Sequence, residues 1–441
     1  MRGRRGGRSG GALAAAALAL ALLAGRAAAQ TDTAAVHVEA GVSSDFTNEQ
    51  FYEEEVINDT TFLGRRLDSQ PEARTAAVLM VQHTGTGAGG RFAYQFRNEL
   101  LAGDKQLRLE SGGALRRHAG DAWRLAFEPE LEFLRDRSFG ADRRESRART
   151  DGRLTWSPPG AADALELLAG GEWFRTSGTS DFTLLDRNAA RARLRWLHVG
   201  AAGDWELGYG ADARTFPDSL ARDQVEQHGE AGVHWDLPGA VRVAFDGGLA
   251  RRTPTRAAPT TEDRFWSGTA AADLHAPLAA ALGLEARLEL EGYRYDAPDT
   301  VLYFDYDLWR ARAGLRWDLS GGWSVLAGPR YERLVAPAVA SERYHELAGA
   351  LEFERLGAST WWSLEPAGGW RLYDLSTAEI SRTADTFHSS YLFAEAQVLA
   401  DQALPGALRL RLVGLGRVEQ HEDPSQDARS LYFSLDLRRL F

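Results

Sequence analysis

An alternation of apolar and polar residues with a period of two runs through most of the chain, and it is the feature that most limits the fold. Over 309–319 the odd positions read Trp, Ala, Ala, Leu, Trp, Leu and the even positions Arg, Arg, Gly, Arg, Asp. Successive side chains of a strand point to opposite faces of a sheet, so such a segment has one apolar and one polar face. The pattern predicts an all-β fold.

Similar segments follow one another from Val36 to the last residue. Most have roughly ten to thirteen residues, which is the length that a tilted strand needs to cross a bilayer. Two of them, around 162–169 and 278–290, are rich enough in Ala and Leu to pass for helix, but their neighbours favour strands. The predicted strands, about 20 of them (18–22), are 35–45, 74–84, 91–101, 105–115, 122–134, 146–157, 163–174, 187–199, 203–214, 225–237, 240–251, 264–275, 282–294, 306–319, 323–334, 344–356, 360–372, 389–400, 406–418 and 429–441.

The connections between these strands alternate in length. Short ones such as Ser157-Pro-Pro-Gly160 and Ser320-Gly-Gly322 carry the residues that tight turns require. Long polar segments such as 174–187 and 372–389 lie between them. Tryptophans on apolar positions mark both strand ends: Trp156, Trp196, Trp205, Trp235, Trp317, Trp323 and Trp362 near short turns, and Trp173, Trp266, Trp309 and Trp370 near long connections. Indole rings prefer a membrane–water interface, so two belts indicate a membrane-spanning sheet.

The N-terminal segment predicts export. Residues 1–29 combine an arginine-rich start, an Ala/Leu run over 12–24 and Ala27-Ala28-Ala29 before the expected cleavage point. This is the pattern of a secretory signal peptide, and its apolar run is too short for a membrane-spanning helix. The chain has no cysteine, which excludes disulfides, thiolate metal sites and a lipoprotein anchor.

The last strand has the apolar face Leu431, Leu435 and Leu437 with two aromatics, Phe433 and the terminal Phe441. This ending resembles the C-terminal signal strand of Gram-negative outer-membrane β-barrel proteins. The resemblance covers 30–441 at the level of porin-like architecture and identifies no closer family. It implies a transmembrane antiparallel up-and-down barrel with short periplasmic turns and long external loops, closed by pairing 429–441 with 35–45. A large secreted β-sandwich or propeller is the alternative.

The resemblance also implies a location and partners. We expect a signal peptide over 1–29 and a single barrel domain over 30–441, integral to the outer membrane of a Gram-negative bacterium. Its partners would be membrane lipid, lipopolysaccharide and, through the last strand, the barrel-assembly machinery. Divalent cations could bridge acidic loops to lipopolysaccharide phosphates, but solvated loops are the preferred explanation for these acidic residues. Without 1–29 the chain has 46 basic and 62 acidic residues, which argues against a nucleic-acid partner.

The polar strand face carries charges in an order that suggests pairing between neighbouring strands, which a packed apolar core would not tolerate. Groups of glutamates are followed on the next strand by groups of arginines, and opposite charges on neighbouring strands can pair. We therefore expect a water-filled lumen, since barrels of this size leave an aqueous channel. The candidate lumen-lining residues are Glu128, Glu130, Glu132, Arg147, Arg149, Arg153, Arg191, Arg193, Arg195, Glu285, Glu289, Arg310, Arg312 and Arg316.

The longest connection, 46–73, is the candidate for a constriction. A long loop can fold into a barrel, and this one carries Glu53, Glu54, Glu55, Arg65 and Arg66. An exposed surface loop is the competing interpretation. Fewer than about ten residues separate the expected cleavage point from the first strand, which leaves no room for the plug domain of the widest transporters.

No residue set suggests a cofactor or a metal. The ten histidines are scattered, and His228 and His234, on one strand face, lie about 20 Å apart along an extended strand. We find no Ser/His/acid set that would indicate catalysis, and the prediction is that the protein is not an enzyme. The preferred function is a channel for passive or weakly selective passage of small polar solutes or ions. A non-conducting barrel that binds a partner through its loops, and an outer-membrane enzyme, are the alternatives.

Overall fold

The computed structural model describes residues 31–50, 53–57, 60–64, 72–87, 89–137, 142–179, 186–256, 264–298, 304–374, 389–422 and 424–441. The predicted signal peptide lies outside these residues, so the division into a leader and one barrel domain stays a prediction. Within the described residues no helix is long and apolar enough to cross a membrane.

Twenty strands form one antiparallel sheet that closes on itself. The wall strands are β1 (Thr31–Gln50), β4 (Glu72–Gly87), β5 (Phe92–Gly103), β6 (Gln106–Ala119), β7 (Trp123–Asp136), β8 (Asp142–Trp156), β9 (Asp163–Thr179), β10 (Arg187–Val199), β11 (Gly203–Thr215), β12 (Gln224–Leu237), β13 (Val241–Pro254), β14 (Phe265–Ala279), β15 (Leu282–Tyr295), β16 (Tyr306–Asp318), β17 (Trp323–Val335), β18 (Tyr344–Gly357), β19 (Thr360–Tyr373), β20 (Tyr391–Leu404), β21 (Leu408–His421) and β22 (Ala428–Leu440). Each predicted strand overlaps one of them, and the predicted all-β barrel of about 20 strands is confirmed.

The strand β22 closes the barrel against β1. The ladder runs from Glu39 opposite Leu440 to Gln50 opposite Arg429, and β1 pairs on its other side with β4. Closure removes both edges of the sheet, which in lipid would leave backbone groups without hydrogen-bond partners. The predicted closing pair is therefore observed, with the ladder extending farther along β1 than expected.

Turn chemistry separates the two ends of the barrel. The sequence Leu-Pro-Gly-Ala occurs at 237–240 and again at 404–407, and both copies place Gly and Ala at positive φ. Two consecutive residues at positive φ are typical of tight hairpin turns. Long connections lie at the other end of the barrel, except that only Asp104 and Lys105 join β5 to β6 there. We call the two ends the short-turn end and the long-loop end.

The outer face of the wall is apolar. Leu194, Leu249 and Leu392 are each more than half exposed, and large apolar side chains of the same parity are exposed on every part of the wall. A water-soluble protein does not display such a surface, whereas a bilayer solvates it. Trp196 and Trp235 near short turns, and Trp266 and Trp370 near long connections, are also exposed, in agreement with two aromatic belts.

The predicted loop over 46–73 is wrong at both ends. Residues 46–50 and 72–73 belong to β1 and β4, because the ladder between these strands continues to Thr47 opposite Glu72. Between them lies a hairpin of β2 (Glu53–Ile57) and β3 (Thr60–Gly64). Glu53, Glu54 and Glu55 are on β2, whereas Arg65 and Arg66 lie outside the described residues, so a constriction by this segment stays a prediction.

Candidate functional site

The candidate site is the inner face of the wall. Its residues alternate along each strand with the exposed Leu and Trp residues of the outer face. Its charged side chains converge because this face is concave. All of the candidate lumen-lining residues lie on it: Glu128, Glu130, Glu132, Arg147, Arg149, Arg153, Arg191, Arg193, Arg195, Glu285, Glu289, Arg310, Arg312 and Arg316. They stay candidates for lining a water-filled passage.

The ion pairs on this face differ from the simplest prediction. Glu130 lies opposite Arg149 and Glu132 opposite Arg147, yet neither forms an ion pair with its opposite residue in the described part of the chain. Arg147 instead donates to Glu172 on the next strand, at 2.8 Å. A long side chain can reach a diagonal neighbour on the next strand as well as the residue directly opposite. Arg147 uses such a diagonal partner on β9, so the expected pairing between β7 and β8 is wrong.

Other expected pairs are present. Arg195 lies 3.5 Å from Glu166 and also pairs with Glu206. Arg316 lies 3.3 Å from Glu285, and Arg310 lies 3.8 Å from Glu291. These contacts join neighbouring strands as the order of charges in the sequence suggests.

Several arginines reach past a neighbouring strand. The Nε atom of Arg191 on β10 donates to Asp151 on β8 at 2.7 Å. The intervening residue in register is Gly170, where a Cβ would collide with the Asp151 carboxylate. Arg193 likewise pairs with Glu230 on β12, and a Cβ at Gly208 would collide with that carboxylate. Strands that are two apart in the sheet lie roughly 10 Å from each other, and at these two positions the glycine leaves room for the pair.

Two neighbouring sectors of the inner face differ in their balance of charge. Over β8–β10, which we call the basic sector, arginines outnumber acids: Arg143, Arg147, Arg149, Arg153, Arg187, Arg191, Arg193 and Arg195 against Glu145, Asp151, Glu166 and Glu172. Over β11–β15, the acidic sector, the balance reverses: Asp204, Glu206, Asp212, Glu226, Glu230, Asp236, Asp246, Asp273, Glu285, Glu289 and Glu291 against Arg214, Arg242, Arg252 and Arg287.

Two hollows lie along the acidic sector and extend to side chains of β16. One of about 470 Å³ is lined by His234, Asp273, His275 and Glu285, and one of about 420 Å³ by Glu230 and other side chains of the sector. The wall histidines here are paired with acids: His234 with Asp246 at 3.4 Å and His275 with Glu285 at 3.5 Å. In the described residues no group of three or more His, Asp or Glu side chains could hold a metal ion.

An aromatic band at the long-loop end was missed by the sequence reasoning. Phe265 lies opposite Tyr295, Tyr293 opposite Tyr306, and farther along the wall Tyr344 opposite Tyr373. Arginines lie over these rings, with Arg371 at 4.0 Å from the Tyr344 ring centroid. Each aromatic sits at an unremarkable strand position, so only the register between strands shows that they form one band.

One Ser/His/Glu arrangement does occur near this band, but its geometry is not catalytic. The Oε1 atom of Gln426 accepts hydrogen bonds from both the N–H and the hydroxyl of Ser389, at 3.1 and 2.8 Å. Ser389 Oγ therefore accepts from His421 Nδ1, at 2.9 Å, and His421 Nε2 lies 3.3 Å from Glu419. The serine is only 1% exposed, so no substrate can reach it, and the cluster joins the start of β20 to the turn Pro424–Gln426.

Comparison with known proteins supports the fold. No protein-family model matches the chain, and no curated protein matches its sequence. Among solved structures, the FrpB iron transporter from Neisseria meningitidis superposes with a TM-score of 0.56 at 10% identity, covering 93% of this chain and 82% of that one. The copper transporter OprC gives 0.55 at 9%, covering 93% and 81%. The alcaligin receptor FauA from Bordetella pertussis gives 0.51 at 10%, covering 91% and 76%.

At this identity the likeness extends to the fold alone. The chain has the fold of Gram-negative outer-membrane β-barrels, and the predicted recognition is confirmed at that level. The closed wall and the apolar outer face suit the same location. These similar structures are transporters and a receptor rather than enzymes.

Proposed function

We propose that the protein is an outer-membrane channel that passes small hydrated solutes and prefers cations. The observation that carries the proposal is the charged inner face of a closed wall, with carboxylates in excess over β11–β15. A wall lined with ionised groups favours a water-filled lumen, because charged side chains are costly to bury in a packed apolar core. The sign of the excess charge on this wall sets which ions concentrate in the passage.

The similar solved structures support transport as the class of function. Two of them are described as an iron and a copper transporter, and the same barrel architecture suits passage across this membrane. Fold alone does not choose a solute. The choice of solute must therefore be argued from the inner charges of this chain, and these favour small cations over anions.

Planar-bilayer recording tests the proposal. The purified full chain should give discrete conductance steps, and a KCl gradient should give a zero-current potential of the sign expected for cation preference. The double variant Asp246→Asn/Asp273→Asn removes two carboxylates from the acidic sector, and both are well exposed to solvent. We expect the ratio of cation to anion permeability to fall roughly twofold.

The matched control places the same charge change outside the wall. Asp296 and Asp427 lie in connections at the long-loop end, and Asp296→Asn/Asp427→Asn should leave the permeability ratio nearly unchanged. A protein that inserts but gives no conductance steps would contradict a channel. An equal effect of both double variants would contradict the assignment to the acidic sector.

A further inference from the structure

The outer face at the long-loop end carries a series of arginines, most of them matched by one carboxylate each. Arg251 donates to both oxygens of Asp296, at 2.6 and 2.5 Å. Arg294 donates to both oxygens of Asp307, at 2.7 and 2.8 Å. The hydrogen bonds from Arg251 hold the pKa of the Asp296 carboxyl below its usual range. This pair therefore stays ionised and has no net charge.

At the long-loop end of β7 and β8, arginines outnumber the carboxylates that could match them. Arg135 and Arg144 lie directly opposite each other on the outer face. Both use one carboxylate: Asp142 accepts from Arg135 at 2.9 Å and lies 3.6 Å from Arg144. Arg137, which is exposed and directly follows β7, is a third arginine at this end of the two strands. The segment that joins the two strands, 138–141, reads Ser-Phe-Gly-Ala and adds no acid.

This group, Arg135, Arg137, Arg144 and Asp142, we call the rim patch. It has three guanidinium groups and one carboxylate, and two of its arginines face each other across a strand pair, which is unfavourable for like charges. The Arg144 side chain is 51% exposed. A bound anion would remove the surplus charge and use guanidinium donors that Asp142 does not occupy.

The surface beneath the rim patch suits a lipid tail. Ala148 on β8 lies between Leu131 on β7 and Trp173 on β9. A small side chain between two large ones leaves a shallow trough along β8. Trp173 also belongs to the belt at the long-loop end, and such indoles lie at headgroup depth. The rim patch is therefore placed where a lipid headgroup meets its acyl chains.

We propose that the rim patch binds a phosphate of the lipid A part of lipopolysaccharide, with one acyl chain in the trough beside Trp173. Guanidinium groups bind phosphate oxygens through paired, charge-assisted hydrogen bonds. Lipid A fits because its phosphates are carried on a sugar headgroup at the outer surface, where long loops lie in barrels of this fold. The site is on the lipid-facing side and is independent of any passage through the lumen.

The test is lipid binding by the full chain in detergent micelles, measured by native mass spectrometry. The probes are bisphosphorylated lipid A, dephosphorylated lipid A and phosphatidylglycerol. The variant Arg137→Gln/Arg144→Gln should bind bisphosphorylated lipid A about tenfold more weakly than the original chain. The original chain should prefer bisphosphorylated lipid A to both other lipids.

The control variant Arg251→Gln/Arg294→Gln changes the net charge equally but removes arginines that are already matched by carboxylates. It should retain lipid A affinity. The shift in gel mobility between heated and unheated samples checks that both variants form a barrel. Equal weakening in the two variants, or equal binding of dephosphorylated lipid A, would overturn the proposal. Equal binding of phosphatidylglycerol at the rim patch would assign the site to phospholipid and overturn lipid A.

Discussion

Gly170 illustrates how one residue on the inner face controls an ion pair two strands wide. Replacing it by Ala would drive a Cβ into the Asp151 carboxylate and separate it from Arg191. We expect Gly170→Ala to lower the free energy of unfolding by about 1–3 kcal/mol, as overpacked sites do. The measurement is the denaturant concentration at which the heat-modifiable gel mobility is lost.

The neighbouring glycine supplies the control. Gly171 has the opposite parity, and a Cβ there would lie 3.4 Å from the Ala189 carbonyl oxygen, an ordinary contact. Gly171→Ala should therefore have little effect. Similar losses from the two substitutions would mean that backbone flexibility, rather than space for the Asp151–Arg191 pair, explains why glycine stands there.

The same residue marks what the sequence could and could not predict. The alternation around Arg191 predicts a strand and the face on which the arginine lies, because both depend on local parity. Its partner Asp151 lies two strands away, and the contact depends on curvature, register and the gap at Gly170. Glu130 and Arg149 show the converse, since they are opposite in register, yet Arg149 pairs with Asp151 on its own strand.

At the scale of a strand, β22 is held to its neighbours by one side chain as well as by its backbone. Arg438 donates to Asp436 at 2.6 Å and to Glu99 on β5 at 3.2 Å, and lies 3.8 Å from Glu39 on β1. Its side chain is only 10% exposed. Arg438→Met should destabilise the closed barrel by about 3 kcal/mol, since it leaves the mostly buried carboxylates of Glu99 and Asp436, 12% and 15% exposed, without a shared cation.

Arg409 on the adjacent strand β21 is the control for this prediction. It is 51% exposed and pairs with Asp401 alone among the residues described, so Arg409→Met should cost less than about 1 kcal/mol. Urea titration of reconstituted barrels, followed by tryptophan fluorescence, compares the two variants. Equal midpoints would show that the backbone ladder, and not Arg438, carries the stability of the closure.

The C-terminal aromatic offers a second prediction for the same strand. Phe441 is two-thirds exposed, and its N–H donates to the Val38 carbonyl at 2.8 Å. Deleting Phe441 should reduce the yield of folded barrel in membranes severalfold, as the resemblance of this strand to C-terminal signal strands implies. Arg439→Leu should be nearly neutral, because Arg439 lies over the Phe441 ring at the interface. Equal yields for the deletion and the original chain would contradict this role.

For the whole molecule, the two charge sectors predict how ion preference responds to salt. Charges are screened over about 8 Å at 0.15 M ionic strength and over about 3 Å at 1 M. The excess carboxylates of the acidic sector should therefore favour cations at low salt and lose most of that effect at 1 M KCl. Zero-current potentials recorded at both concentrations check this. An unchanged permeability ratio would indicate that a narrow, dry constriction sets the ion preference, rather than the electric field of charges on the wall of a wide lumen.

The long ladders of β1 have a consequence for the proposed channel. This strand pairs with β22 on one side and with β4 on the other over much of its length, so the wall cannot part at this closure without losing many backbone hydrogen bonds at once. For the proposed channel we therefore expect an axial route for solutes and no lateral exit into the bilayer between β22 and β4. If the proposed channel function is right, hydrophobic compounds that need such a lateral exit should be poorer cargo for this barrel than water-soluble ones.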